Sequence, residues 1–116
     1  MISTETARKI ILSMPEAEEQ EHHGHPDFRV RNKIFATLWP AERRSVLKIR
    51  FDADAGWLKS SKQALSEIKW GKQRWTNVNL QFIDSKAFRQ LVEDAWYAVA
   101  PPVMAAKLIS ERREPE

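Results

Sequence analysis

The stretch Lys69-Trp70-Gly71-Lys72-Gln73-Arg74-Trp75-Thr76-Asn77-Val78-Asn79-Leu80 predicts a turn that leads directly into a β-strand. After the glycine and its flanking cations, the sequence alternates polar with apolar residues. Because the side chains of a strand point alternately to its two faces, this segment has one face suited to a core. The residues of that face are Thr76, Val78, Leu80 and Phe82. The opposite face offers an aromatic ring and amides to a partner outside the chain. Its residues are Trp75, Asn77, Asn79 and Gln81.

Alternating patterns upstream predict further strands of the same sheet. Residues 27–30 and 33–39 predict a hairpin whose turn is Arg31-Asn32. The clearest strand runs from Ser45 to Phe51, with apolar residues on one side and two cations on the other. Weaker patterns lie between these elements: a short edge strand or loop over 16–25, a short helix after Asp52, and a helix or loop over 64–68.

Helical patterns occupy both ends of the chain. Ser3 is placed to cap a first helix, and Asp84 or Ser85 is placed to cap a long one with an unbroken apolar stripe. The long helix ends at Pro101, since proline lacks the amide and clashes with the preceding turn. Pro102 can start a last helix.

The order of helix, antiparallel strands and helix predicts an α+β fold. We expect one domain over residues 1–116, with helices packed on one face of an antiparallel β-sheet. The second face is then left to solvent or to a partner. The residues predicted on it are Phe35, Thr37, Lys48, Arg50, Trp75, Asn77 and Asn79.

Composition limits the classes of protein to consider. The 116 residues include no cysteine, which excludes disulfides and thiol chemistry. The N-terminus lacks the cationic and apolar regions of a secretory signal, and no apolar run approaches the roughly 20 residues that span a bilayer. We therefore expect a cytoplasmic protein with no membrane contact. No pattern in the sequence specifies an oligomeric state, and a monomer is the expectation.

The net charge of +3 is unevenly distributed along the chain. Residues 1–27 carry a formal charge of −4, residues 28–74 carry +8, and residues 75–116 carry −1. A concentrated basic segment suggests an anionic partner such as nucleic acid, although a solvated surface is the commoner explanation of any single cation.

Several short segments, in this order and spacing, resemble the MmcQ/YjbR family over nearly the whole chain. They are Leu12-Ser13-Met14-Pro15-Glu16-Ala17, Gly24-His25-Pro26-Asp27-Phe28-Arg29-Val30, Lys33-Ile34-Phe35-Ala36-Thr37-Leu38, the stretch from Trp70 to Leu80, and Ala95-Trp96-Tyr97-Ala98-Val99-Ala100-Pro101. The resemblance implies a CyaY-like fold and a DNA-binding protein without established enzymatic activity. It carries over Lys72 and Arg74, which precede Trp75 as the family's cations do. Gln73 departs from the pattern, since glycine is common nearby in relatives.

Nucleic-acid binding requires cations that neutralise phosphates and flat or amide side chains that meet bases. The basic segment contains both kinds of residue. The residues predicted to bind DNA are Arg29, Arg31, Lys33, Lys48, Arg50, Lys69, Lys72, Arg74, Trp75 and Asn77. The alternative left open is an ordinary solvated surface around core tryptophans.

A histidine cluster is the candidate metal site. His22, His23 and His25 lie near Asp27 and contain the right ligand types. Clustered histidines without a regular ligand motif are more often surface residues, so we predict no bound metal and no cofactor.

No catalytic motif occurs, and three glycines are too few for phosphate-cradling loops, so we predict that the protein is not an enzyme. A groove beside Trp57 and Trp70 can hold a peptide or a small ligand. A non-catalytic module for a small ligand, a metal or a protein therefore remains the alternative to DNA binding.

Overall fold

Six antiparallel strands form a single sheet in the computed structural model, within the residues that it describes, 1–22, 24–49, 63–70 and 73–113. Their spatial order is β1-β2-β3-β4-β6-β5. The strands are β1 (Glu18–His22), β2 (His25–Val30), β3 (Lys33–Trp39), β4 (Arg44–Leu47), β5 (Leu65–Trp70) and β6 (Gln73–Asn79). The described helices are α1 (Thr4–Leu12), α2 (Ser85–Tyr97) and α3 (Pro102–Arg113). The predicted α+β fold is confirmed.

Side-chain caps fix the beginnings of α1 and α2. The hydroxyl of Ser3 accepts a hydrogen bond from the amide of Thr6 at 3.0 Å, and the Asp84 carboxylate accepts one from the amide of Ala87 at 2.8 Å. Each bond satisfies an amide that the first turn of a helix leaves without an intrahelical partner. Both predicted helix starts are therefore confirmed.

The two capped helices bury their apolar stripes against one face of the sheet. On the sheet side this core contains Phe28, Ala36, Leu47 and Val78. The indole Nε1 of Trp96 donates to a backbone carbonyl of the loop after α1 at 3.0 Å, which ties α2 to that loop. The buried apolar residues of the two helices are Ala7, Ile10, Ile11, Phe88, Leu91, Val92, Ala95 and Trp96.

The second face of the sheet is closed along its central row. The pairing register aligns Asp27, Thr37, Val46 and Asn77 across four neighbouring strands. The first three of these residues are only 1%, 2% and 0% exposed. The prediction of a second face left to solvent or a partner is therefore wrong for this row.

Phe35 lies in the core instead of on the second face. The pairing of β2 with β3 shifts by one residue, because Phe28 faces Ala36 whereas Arg29 faces Ile34. Phe35 is thus the extra residue of a β-bulge, which interrupts the alternation of side chains. Its ring is 0% exposed and belongs to the core.

Two strand boundaries also differ from prediction. Residues 64–68, which fit a helix or a loop by pattern, mostly belong to the edge strand β5. The strand predicted over Ser45–Phe51 begins at Arg44 and ends at Leu47. Phe51 and the helix predicted after Asp52 lie outside the described residues.

Among the residues described, no helix has the length and apolar content to cross a membrane.

Candidate nucleic-acid interface

The sheet topology gathers five of the predicted DNA-binding cations at one end of the sheet. Neighbouring strands are antiparallel, so the β2–β3 turn, the end of β4 and the β5–β6 connection all lie at the same end. We call this region the basic end. Its described cations are Arg31, Lys33, Lys48, Lys69 and Arg74.

Most of the basic end faces solvent and is weakly neutralised. Lys33 and Lys69 are exposed, Lys48 is half-buried, and none of the three has an ion pair among the residues described. Arg31 pairs with Glu16 at 3.5 Å, and Arg74 pairs with Glu67 at 3.7 Å. Exposed pairs at such distances are worth little and are screened by salt, so both guanidinium groups can take another anion.

Arg29 differs from these cations because an internal carboxylate holds it. Its Nε and Nη2 donate to the two carboxylate oxygens of Asp27 at 3.0 and 3.2 Å, and its Nη1 donates to Asn32 at 3.1 Å. The hydrogen bond to Asp27 raises the pKa of the Arg29 guanidinium above its ordinary value. Asp27 is 1% exposed. The structure therefore uses Arg29 to neutralise a buried acid, which does not favour its predicted contact with phosphate.

Trp75 and Asn77 share the second face, as the alternation predicts, but neither is openly presented. Trp75 is only 6% exposed, which does not favour the predicted stacking or wedging of its ring. The Asn77 side-chain oxygen accepts from Arg44 Nη1 at 3.1 Å, and its nitrogen donates to Ser66 at 3.4 Å. Arg74 precedes Trp75 in the strand, so it leaves the sheet from the opposite face. The predicted set is therefore split between two faces.

A half-buried stack at the other end of the sheet was not predicted as a site. The rings of His25 and Trp39 lie 3.7 Å apart, and the guanidinium carbon of Arg44 lies 4.5 Å from the Trp39 ring centroid. Trp39 Nε1 also donates to the Thr37 hydroxyl at 3.0 Å. Strands β2 and β4 flank β3, so His25 and Arg44 approach Trp39 from opposite sides. The tight connection after Trp39 is the sequence signal that links the ring to Arg44.

Part of the predicted site falls outside the described residues, namely Arg50 and Lys72. The metal prediction is affected in the same way, because His23 and the side chain of His22 also lie outside them. In the described part of the chain, no three His, Asp or Glu side chains come together as a metal site. The Nδ1 atom of His25 is buried, with no hydrogen-bond partner among the described residues.

A protein-family model described as YjbR matches residues 12–98. The chain belongs to the YjbR family. The resemblance to the MmcQ/YjbR family is thus confirmed, and the matched region of this YjbR protein contains all the described strands and α2. The basic end lies inside the family region, whereas α3 lies beyond it. The comparison with curated proteins gave no match.

Proposed function

We propose that this YjbR protein binds DNA, with little sequence preference, through the basic end of its sheet. The observation that carries the proposal is the gathering of Arg31, Lys33, Lys48, Lys69 and Arg74 at one end by three separate connections. Clustered cations raise the local concentration of a polyanion and speed its association. The DNA binding implied by the MmcQ/YjbR resemblance points to the same class of partner.

Phosphate contact, and not base readout, is the mode that the exposed groups favour. Trp75 is buried and the Asn77 amide is engaged by Arg44 and Ser66, so these side chains are poorly placed to read bases. Apart from the half-buried Lys48, the described lysines and arginines of the basic end are exposed donors without strong internal partners. Contacts of this kind position a protein on the duplex but carry no sequence information.

Salt dependence of binding to a short fluorescently labelled duplex, measured by anisotropy, tests the proposal. The logarithm of the binding constant falls with the logarithm of salt concentration, with a slope of about −0.9 per phosphate contact. Replacing Lys33 and Lys69 with Gln removes two exposed cations of the basic end. The slope is expected to become shallower by about 1.8, and affinity at low salt is expected to fall.

A matched double variant outside the basic end, one residue in the β3–β4 connection and one in the first turn of α2, provides the control. Arg43 and Lys86 are exposed, and Arg43 lies in the β3–β4 connection. Their replacement with Gln removes the same charge and is expected to leave the slope nearly unchanged. Equal effects of the two double variants would mean that only net charge matters. No binding by the unmodified protein at low salt would refute DNA binding itself.

We also propose that the protein acts in the cytoplasm without catalysing a reaction. Contact through phosphates needs neither a cofactor nor a catalytic group. Turnover of a nucleic acid by the purified protein would contradict this part of the proposal.

A further inference from the structure

A cavity of about 520 Å³ lies between the loop after α1, the β2–β3 turn and the beginning of α3. Its apolar lining comes from Pro15, Pro101, Val103 and Met104. Val103 is 84% exposed, so its side chain is open to solvent at the edge of the cavity. The volume falls within the range of about 300–1,000 Å³ typical of small-molecule sites.

The charged lining of the cavity favours an anion. Arg31 and Lys107 contribute two cations, against the single carboxylate of Glu16. Glu16 lies 3.5 Å from Nε of Arg31, and both side chains are more than half exposed. Such an exposed ion pair is weak, so the Arg31 guanidinium can form the paired hydrogen bonds that it makes with another carboxylate.

The backbone holds two of these charged residues in an uncommon conformation. Glu16 has φ of 56° and Arg31 has φ of 49°, which lie in the left-handed region that non-glycine residues seldom adopt. For Arg31 this conformation belongs to the two-residue turn between β2 and β3. Both residues lie in turns that border the cavity.

We propose that this cavity binds a small monocarboxylate with an aliphatic body. The carboxylate lies between Arg31 and Lys107, and the aliphatic chain contacts Val103 and Met104. A free carboxylate is the chemical class that matches two cations above an apolar wall. This site shares Arg31 with the basic end but differs from phosphate binding, because it requires the apolar wall and Lys107 as well.

Amide-resolved NMR titrations of the full chain with three probes test the proposal. Hexanoate carries the charge and the chain, hexan-1-ol carries only the chain, and acetate carries only the charge. Saturable shifts at Arg31, Val103 and Met104 are expected for hexanoate. Its affinity should exceed that of hexan-1-ol by about threefold to fivefold, which an exposed charge contact supplies, and should exceed that of acetate because acetate lacks the apolar chain. Equal binding of hexanoate and hexan-1-ol, or shifts scattered over all cations, would overturn the proposal.

Variants separate this site from the proposed DNA interface. Lys107→Gln is expected to weaken hexanoate binding about threefold to fivefold while leaving hexan-1-ol binding unchanged. Lys33→Gln is the matched control, because Lys33 is exposed in the neighbouring strand start but does not line the cavity. Equal hexanoate affinities of the Lys107 and Lys33 variants would contradict the carboxylate site, whatever the outcome of the DNA measurements.

Discussion

The contact between Asp27 and Arg29 is expected to be among the strongest side-chain contacts in the fold. Two hydrogen bonds of 3.0 and 3.2 Å join a carboxylate that is 1% exposed to a guanidinium whose side chain is 20% exposed. Breaking a buried ion pair costs about 3–5 kcal/mol, because one charge is left buried without a partner. Since Arg29 retains some contact with water, we expect Asp27→Ala to lower the free energy of unfolding by about 3 kcal/mol. The midpoint of thermal unfolding should fall by about 12 °C, at about 4 °C per kcal/mol for a chain of this size.

A double-mutant cycle isolates the pair from the effect of losing side-chain volume. The cycle combines Asp27→Ala with Arg29→Met, and urea unfolding followed by circular dichroism gives the coupling, which we expect to be about 2 kcal/mol. The matched cycle uses Glu67 and Arg74, which are 3.7 Å apart and 32% and 57% exposed. Its coupling should stay below about 1 kcal/mol. If the two couplings are equal, burial of Asp27 does not strengthen its contact and the reasoning fails.

Two further predictions concern a turn and a titrating group. Arg31 and Asn32 adopt φ of 49° and 70°, a conformation that asparagine adopts more readily than arginine. Arg31→Asn should therefore raise the free energy of unfolding in urea by about 0.5 kcal/mol, and a decrease would contradict a strained turn. Burial raises the pKa of Asp94 above its ordinary value, although a hydrogen bond from Gln90 opposes the shift. Because the folded state holds this proton more tightly than the unfolded state, stability falls as pH rises from the ordinary pKa through the raised pKa. Asp94→Asn should therefore slightly raise the unfolding temperature at about pH 7 and have no such effect below the ordinary pKa of 3.8. An increase in unfolding temperature that does not vary with pH would refute the raised pKa of Asp94.

Local sequence signals predict α1, α2 and the β2–β3 hairpin because short-range contacts determine them. Ser3 and Asp84 cap their helices within three residues, and the Arg31-Asn32 turn joins adjacent strands. The edge strand β5 was missed because its pattern is weak and its pairing with β6 defines it. Phe35 was misplaced for a related reason, since a bulge is a property of two strands and is not visible in one.

The candidate site was predicted in composition but not in arrangement. Alternation correctly put Trp75 and Asn77 on one face, yet alternation says nothing about whether that face is covered. Arg29 looks like any other cation of the basic segment until its distance to Asp27 is known. Pairs two residues apart on a strand share a face, so the Asp27–Arg29 contact was accessible from the sequence. The burial of this contact cannot be read from the sequence, because burial depends on the whole sheet.

Exposed cations of residues 28–74 meet at one end of the sheet because they lie in or beside the connections at that end. In an antiparallel sheet of this order, the β2–β3 turn, the exit of β4 and the β5–β6 connection lie together, whereas the β3–β4 connection lies at the other end. Arg44, which follows the β3–β4 connection, is accordingly half-buried in a stack with Trp39. A charge count over residues 28–74 therefore does not distinguish two kinds of cation. Those at one end of the sheet are mostly exposed and can contact phosphate, whereas Arg44 at the other end packs against Trp39. The β2–β3 and β3–β4 connections lie at opposite ends of the sheet, which separates Lys33 from Arg44. Lys69 joins Lys33 at the basic end because β5 is antiparallel to β6 and parallel to β4.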